Sequence, residues 1–69
     1  MNELKTGVVT CLRLHVLTEA RCDADVVCKL RYLTEVLISE EESTDDYYKI
    51  YTAIGAEGYC DKNSVEIRK

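Results

Sequence analysis

The chain has 69 residues, 46% of them hydrophobic and 32% charged, with a net charge of −4, a balance that belongs to a folded domain and excludes a disordered one. That length leaves room for one domain spanning 1–69 and only a thin core, so the fold calls for a staple: disulfides, a metal or a second copy. With no Pro and only three Gly, the chain has few breakers, which favours helices over a turn-rich sandwich.

The first segment carries Leu4, Val8, Leu12 and Val16 at a spacing of four, with Cys11, Leu14 and Leu17 adding apolar surface. This suits one face of a helix. Gly7-Val8-Val9-Thr10, however, is a poor helix start and a good strand start. A strand over residues 7–17 needs a partner, and the alternating tail over 64–68, Ser-Val-Glu-Ile-Arg, is the candidate.

Val26, Leu30, Leu33 and Leu37 follow at spacings of four, three and four, behind Asp23 as a candidate N-cap, and predict an amphipathic helix over 24–39. Its seam exceeds what one short neighbour covers, so self-association through these four residues is expected. On this reading, Leu33→Asp dissociates or unfolds the domain. The run Glu40-Glu41-Glu42-Ser43-Thr44-Asp45-Asp46 breaks the pattern, with Ser43 and Asp46 at capping-box spacing. Tyr47, Ile50, Tyr51 and Ile54 then predict a second helix over 45–55, closed by Gly55 or Gly58. Glu57 to Asn63 reads as a loop.

The favoured fold class is therefore all-α, a small helical hairpin or three-helix bundle completed by dimerisation. The alternative is β-α-α-β, with 7–17 and 64–68 as strands.

Acidity is concentrated. Residues 23–46 hold eight acids against Lys29 and Arg31. No basic stripe exists of the kind that binds phosphate backbones, which disfavours direct nucleic-acid binding. The expected partner-binding patch is Glu40, Glu41, Glu42, Asp45, Asp46 and Tyr48, offered to a basic surface of a larger protein. The run lacks the order of a calcium loop.

Four cysteines, Cys11, Cys22, Cys28 and Cys60, accompany a single histidine, His15. With neither a basic n-region at the start nor an apolar run long enough to span a bilayer, the expected location is cytoplasmic, with free thiols and no membrane association. Cofactors are expected to be none. The alternative is zinc held by a set drawn from Cys11, His15, Cys22, Cys28 and Cys60, against which stands the absence of a Cys-x-x-Cys knuckle. Catalysis is not expected, because nothing near Cys11 and His15 orients an imidazole.

The function expected is that of a non-catalytic interaction module: a homodimeric regulator or stoichiometric inhibitor, of the kind found in viruses and plasmids, docking on a larger protein. The alternatives are a zinc-stabilised module and a helix-turn-helix-like nucleic-acid-binding regulator, the latter opposed by the acidity around Lys49.

Overall fold

The computed structural model describes residues 4–68. Seven strands form one antiparallel sheet: β1 (Leu4–Val9), β2 (Arg13–Leu17), β3 (Val26–Arg31), β4 (Glu35–Ser39), β5 (Tyr47–Tyr51), β6 (Glu57–Asp61) and β7 (Val65–Ile67), with a 3-10 turn at Lys62–Ser64. Their order across the sheet is β3-β2-β6-β5-β4-β1-β7. A flat sheet is one backbone layer thick, whereas the least extent here is 22 Å. The sheet is rolled on itself, and its inner face forms the core.

That core comprises Val9, Leu14, Val16, Leu30, Val36, Ile38, Ile50, Cys60 and Val65. Along β2 the alternation is plain, with Leu14 and Val16 buried between exposed Arg13 and His15. On β4, Val36 and Ile38 point inward while Glu35 and Leu37 remain exposed. Val, Ile and Tyr dominate these segments, and they pack well on a pleated, half-buried surface.

Both expected helices are absent. Residues 24–39 form β3, a turn and β4, while 45–55 form β5 and the start of a hairpin loop. The all-α bundle is thereby overturned, and so is the β-α-α-β alternative, whose two helices do not exist. Gly7, Val8 and Val9 do lie opposite Ile67, Glu66 and Val65, but residues 10–12 interrupt the segment 7–17 and divide it into β1 and β2. The spacing of four was uninformative, because residues four apart share a side in a strand as well as in a helix.

The supposed seam is likewise dispersed. Leu30 enters the core, while Val26, Leu33 and Leu37 are 46%, 61% and 43% exposed. Leu33 breaks the helical frame outright: its φ is 67°, a left-handed conformation that costs roughly 1–2 kcal/mol for most residues. It occupies the third position of the turn closed by Thr34 N–H donating to the Arg31 carbonyl at 3.1 Å. Its own N–H donates to the Val9 carbonyl, and Val9 N–H to the Thr34 carbonyl, so this turn is tied to the end of β1. Ser43 caps no helix. Its hydroxyl donates to the Ser39 carbonyl at 2.7 Å and accepts from Lys49 N–H at 3.0 Å, pinning the β4–β5 loop.

The β2–β3 hairpin joins the remaining strands through one residue pair, Leu17 opposite Tyr59. Gly58 permits that junction. A Cβ at this position would run into the Leu17 carbonyl oxygen and lie 2.7 Å from Val16 Cγ1. The nearest obstacle is backbone, so Gly58→Ala is expected to lose roughly 2–3 kcal/mol as overpacking strain, read as a lowered urea midpoint; an unchanged midpoint would mean β2 sits farther away. Leu33→Asp, by contrast, should leave the fold intact and hold or raise stability by up to about 1 kcal/mol, since Asp tolerates this backbone better than Leu. Loss of folding in that variant would show that Leu33 is buried in solution.

Candidate functional site

The loop over 40–46 and the 3-10 turn at Lys62–Ser64 lie side by side because β5 and β6 pair in register. Tyr47 is opposite Asp61 and Tyr48 opposite Cys60. Lys62 N–H donates to the Asp46 carbonyl at 3.2 Å, lashing loop to turn. Thr44 stiffens the loop from the other side: its N–H donates to the Tyr47 carbonyl at 2.8 Å, and its hydroxyl accepts from Tyr47 N–H at 3.1 Å. Asp61 caps the 3-10 turn, its Oδ1 accepting from Asn63 N–H at 2.9 Å.

An open hollow of about 410 Å³ results, lined by Asp45, Asp46, Tyr47, Asp61, Lys62 and Asn63. A second hollow of about 300 Å³ shares Tyr47 and Asp61 with it and adds Arg13, Leu14, His15, Leu17, Cys22 and Ser64. The negative field converges on Tyr47, whose phenol is pushed up from its ordinary 10.0 by burial and then by Cys22, Asp61, Asp46 and Asp23. Among the described residues Lys62 forms no ion pair; its ammonium sits over the Tyr48 ring, 5.1 Å from the centroid.

The six residues of the expected patch do not share one role. Asp45 and Asp46 line the hollow. Glu40 pairs with Lys5 at 3.1 Å. Glu42 accepts a 2.6 Å hydrogen bond from the Tyr51 hydroxyl. Glu41 is exposed, and Tyr48 packs partly buried against the core. Tyr47 and Asp61, absent from that patch, complete the acidic wall. The signal for them was the cross-strand pairing of β5 with β6, which a helical reading of 45–55 conceals.

The residues of the zinc alternative are also separated. Cys60 is fully buried, Cys11 and Cys28 are partly buried against the core, while His15 and Cys22 are exposed. Among the described residues, no three of His, Cys, Asp and Glu stand together in a way that would hold a metal. Cys11 Sγ donates to the Arg13 carbonyl at 3.1 Å rather than engaging His15.

A third hollow, about 230 Å³ and largely apolar, lies on the outer face of β1, β4 and β5, lined by Thr6, Leu37, Tyr51 and their neighbours. Among the described residues, no helix is long and apolar enough to cross a membrane. No protein-family model matches the chain, and neither a curated protein nor a solved structure matches it.

Burial pushes the Cys60 thiol from 9.0 up to about 12, and the hydrogen bond to Glu42, with burial, pushes the Tyr51 phenol from 10.0 up to about 12. Across that window the unfolded chain releases protons that the folded chain keeps, so stability falls as pH rises above about 9. The urea midpoint should therefore drop steadily from pH 9 to 11, less steeply in Tyr51→Phe; a flat profile would refute the burial of Cys60. In the native protein at pH 8, Cys22 should alkylate at least roughly tenfold faster than Cys60, because Cys22 is exposed whereas Cys60 is buried and its thiol is pushed up by that burial.

Proposed function

We propose that this domain is a non-catalytic binding module that holds a cationic, lysine- or arginine-bearing segment of a larger protein in the acidic hollow beside Tyr47. The observation that carries this reading is the convergence of Asp45, Asp46 and Asp61 on one open hollow whose shape is fixed by backbone hydrogen bonds. Carboxylates held on a pre-ordered frame lose little conformational freedom on binding, which favours affinity. The tyrosine ring beside them supplies rigid contact area to the aliphatic stem of a lysine or the plane of an arginine. The net charge of −4 adds long-range attraction for a cationic partner and speeds encounter. The reading belongs to a regulator or adaptor that acts by occupying a partner's basic segment.

The test is titration of the protein with a fluorescein-labelled hexalysine peptide at low salt. Saturable binding is expected, and Asp45→Lys/Asp46→Lys should weaken it by roughly tenfold, the equivalent of about 1.4 kcal/mol. Glu41→Lys, outside the hollow, should change it by less than about twofold, because an isolated exposed charge contributes little. Equal binding by all three proteins would remove the hollow from the interaction.

A further inference from the structure

Arg13 lies directly opposite Arg31, and His15 directly opposite Lys29, on the neighbouring strands β2 and β3. All four side chains are exposed. Among the described residues, the ion pairs engage Lys5, Arg21, Lys49 and Arg68, and none of Arg13, Lys29 or Arg31. Like charges directly opposite one another across a sheet are destabilising. Among the described residues, a chain of net charge −4 thus keeps three permanent cations and a histidine in a two-by-two square that makes no ion pair. The square adjoins the acidic wall, because Arg13 and His15 line the same hollow as Tyr47 and Asp61.

We infer that this face associates with a second copy of the chain, the basic square of each protomer seated on the acidic hollow of the other. Adjacent patches of opposite sign are self-complementary under a two-fold rotation: an axis through the hollow between them carries each patch onto its opposite. That hollow is partly apolar, with Leu14 and Leu17 in its wall, and becomes the centre of the interface while the charges form its rim. A phosphate backbone fits less well, since a strand laid along the square continues into Asp61, Asp46 and Asp45. A specific interface buries on the order of 1,000 Å² in total, which asks for roughly 500 Å² from each protomer's 4873 Å². The dimer covers the hollow assigned above to a cationic segment, so partner and second copy compete, a consequence that rests on that assignment.

Native mass by sedimentation in reducing buffer tests the association. A dimer is expected in about 0.02 M salt and a monomer in about 0.5 M, where the screening length falls to a few ångströms. Arg13→Glu/Arg31→Glu and Asp45→Lys/Asp46→Lys should each be monomeric with unchanged circular dichroism. An equimolar mixture of the two should form a heterodimer, because both halves of its interface pair opposite charges. The variant carrying all four substitutions should dimerise with itself, which misfolding of either parent cannot mimic. A native protein that stays monomeric at low salt, reversal variants that remain dimeric, or a mixture that stays monomeric would each overturn the inference. The labelled hexalysine peptide separates it from the binding reading. The monomeric Arg13→Glu/Arg31→Glu variant should bind the peptide roughly threefold or more tightly than the native protein, since its hollow is no longer occupied. Peptide binding without dimerisation defeats only the self-association; a dimer whose monomeric variant ignores the peptide defeats only the cationic-segment reading.

Discussion

The close passage of β2 over Gly58 is the constraint on which the rest of the structure depends. A single sheet encloses a core only when its ends are brought round, and here one residue pair, Leu17 with Tyr59, joins the β2–β3 hairpin to the other five strands. The absence of a side chain at Gly58 lets the Leu17 carbonyl approach. Once that approach is made, Leu14, Val16 and Leu30 from the hairpin reach Ile38, Ile50 and Cys60, and a set of short strands buries a common interior. At the other side, Val9 receives the β3–β4 turn through two backbone hydrogen bonds. With so few buried residues, each closure matters: a domain of this size has stability of only a few kcal/mol to lose.

The same closure places the charges. Bringing β2 beside β6 sets Arg13 and His15 next to Asp61 and Tyr47, although more than thirty residues separate them in sequence. The β5–β6 register then adds Asp45 and Asp46 through the loop that Ser43 and Thr44 pin. Neither patch is a run in the chain. The most conspicuous run, Glu40 to Asp46, is divided by the fold: Glu40 and Glu42 are used within the molecule, and only its last two acids face the hollow.

Sequence patterns reached parts of this arrangement and failed at others for identifiable reasons. The apolar residues were found, but their spacing was read with the wrong period. Leu4, Val8, Leu12 and Val16 fit both periods, and Val26-Leu30-Leu33-Leu37 mixes one core residue with three exposed ones. Composition favoured helix because Pro is absent and Gly is scarce, yet β-branched and aromatic residues at Val8-Val9, Val26-Val27 and Tyr47-Tyr48 carried the opposing signal. The positive φ of Leu33 had no signal, since turns usually mark that position with Gly or Asn. Ser43 was read as the capping-box start of a helix, and no helix follows it; the structure it serves is a loop, because Ser, Thr and Asp stabilise loops by the same bonds that cap helices. Of the site, Asp45 and Asp46 were legible as exposed acids, while Tyr47 and Asp61 required knowledge of the strand register.

The basic square, too, exists only through tertiary pairing. In sequence, Arg13 and His15 lie in an apolar segment and Lys29 and Arg31 in another, and each pair alone resembles ordinary solvated charge. Only the antiparallel register of β2 with β3 makes them a square. Fold stability alone disfavours such a square, because alternating its signs across the two strands would replace repulsion with attraction at no cost in packing. The complementary charge of the proposed second copy would offset that repulsion from outside the protomer. Such a copy presents the matching pattern at the matching spacing, because the spacing within one molecule and the spacing across the two-fold are set by the same strands.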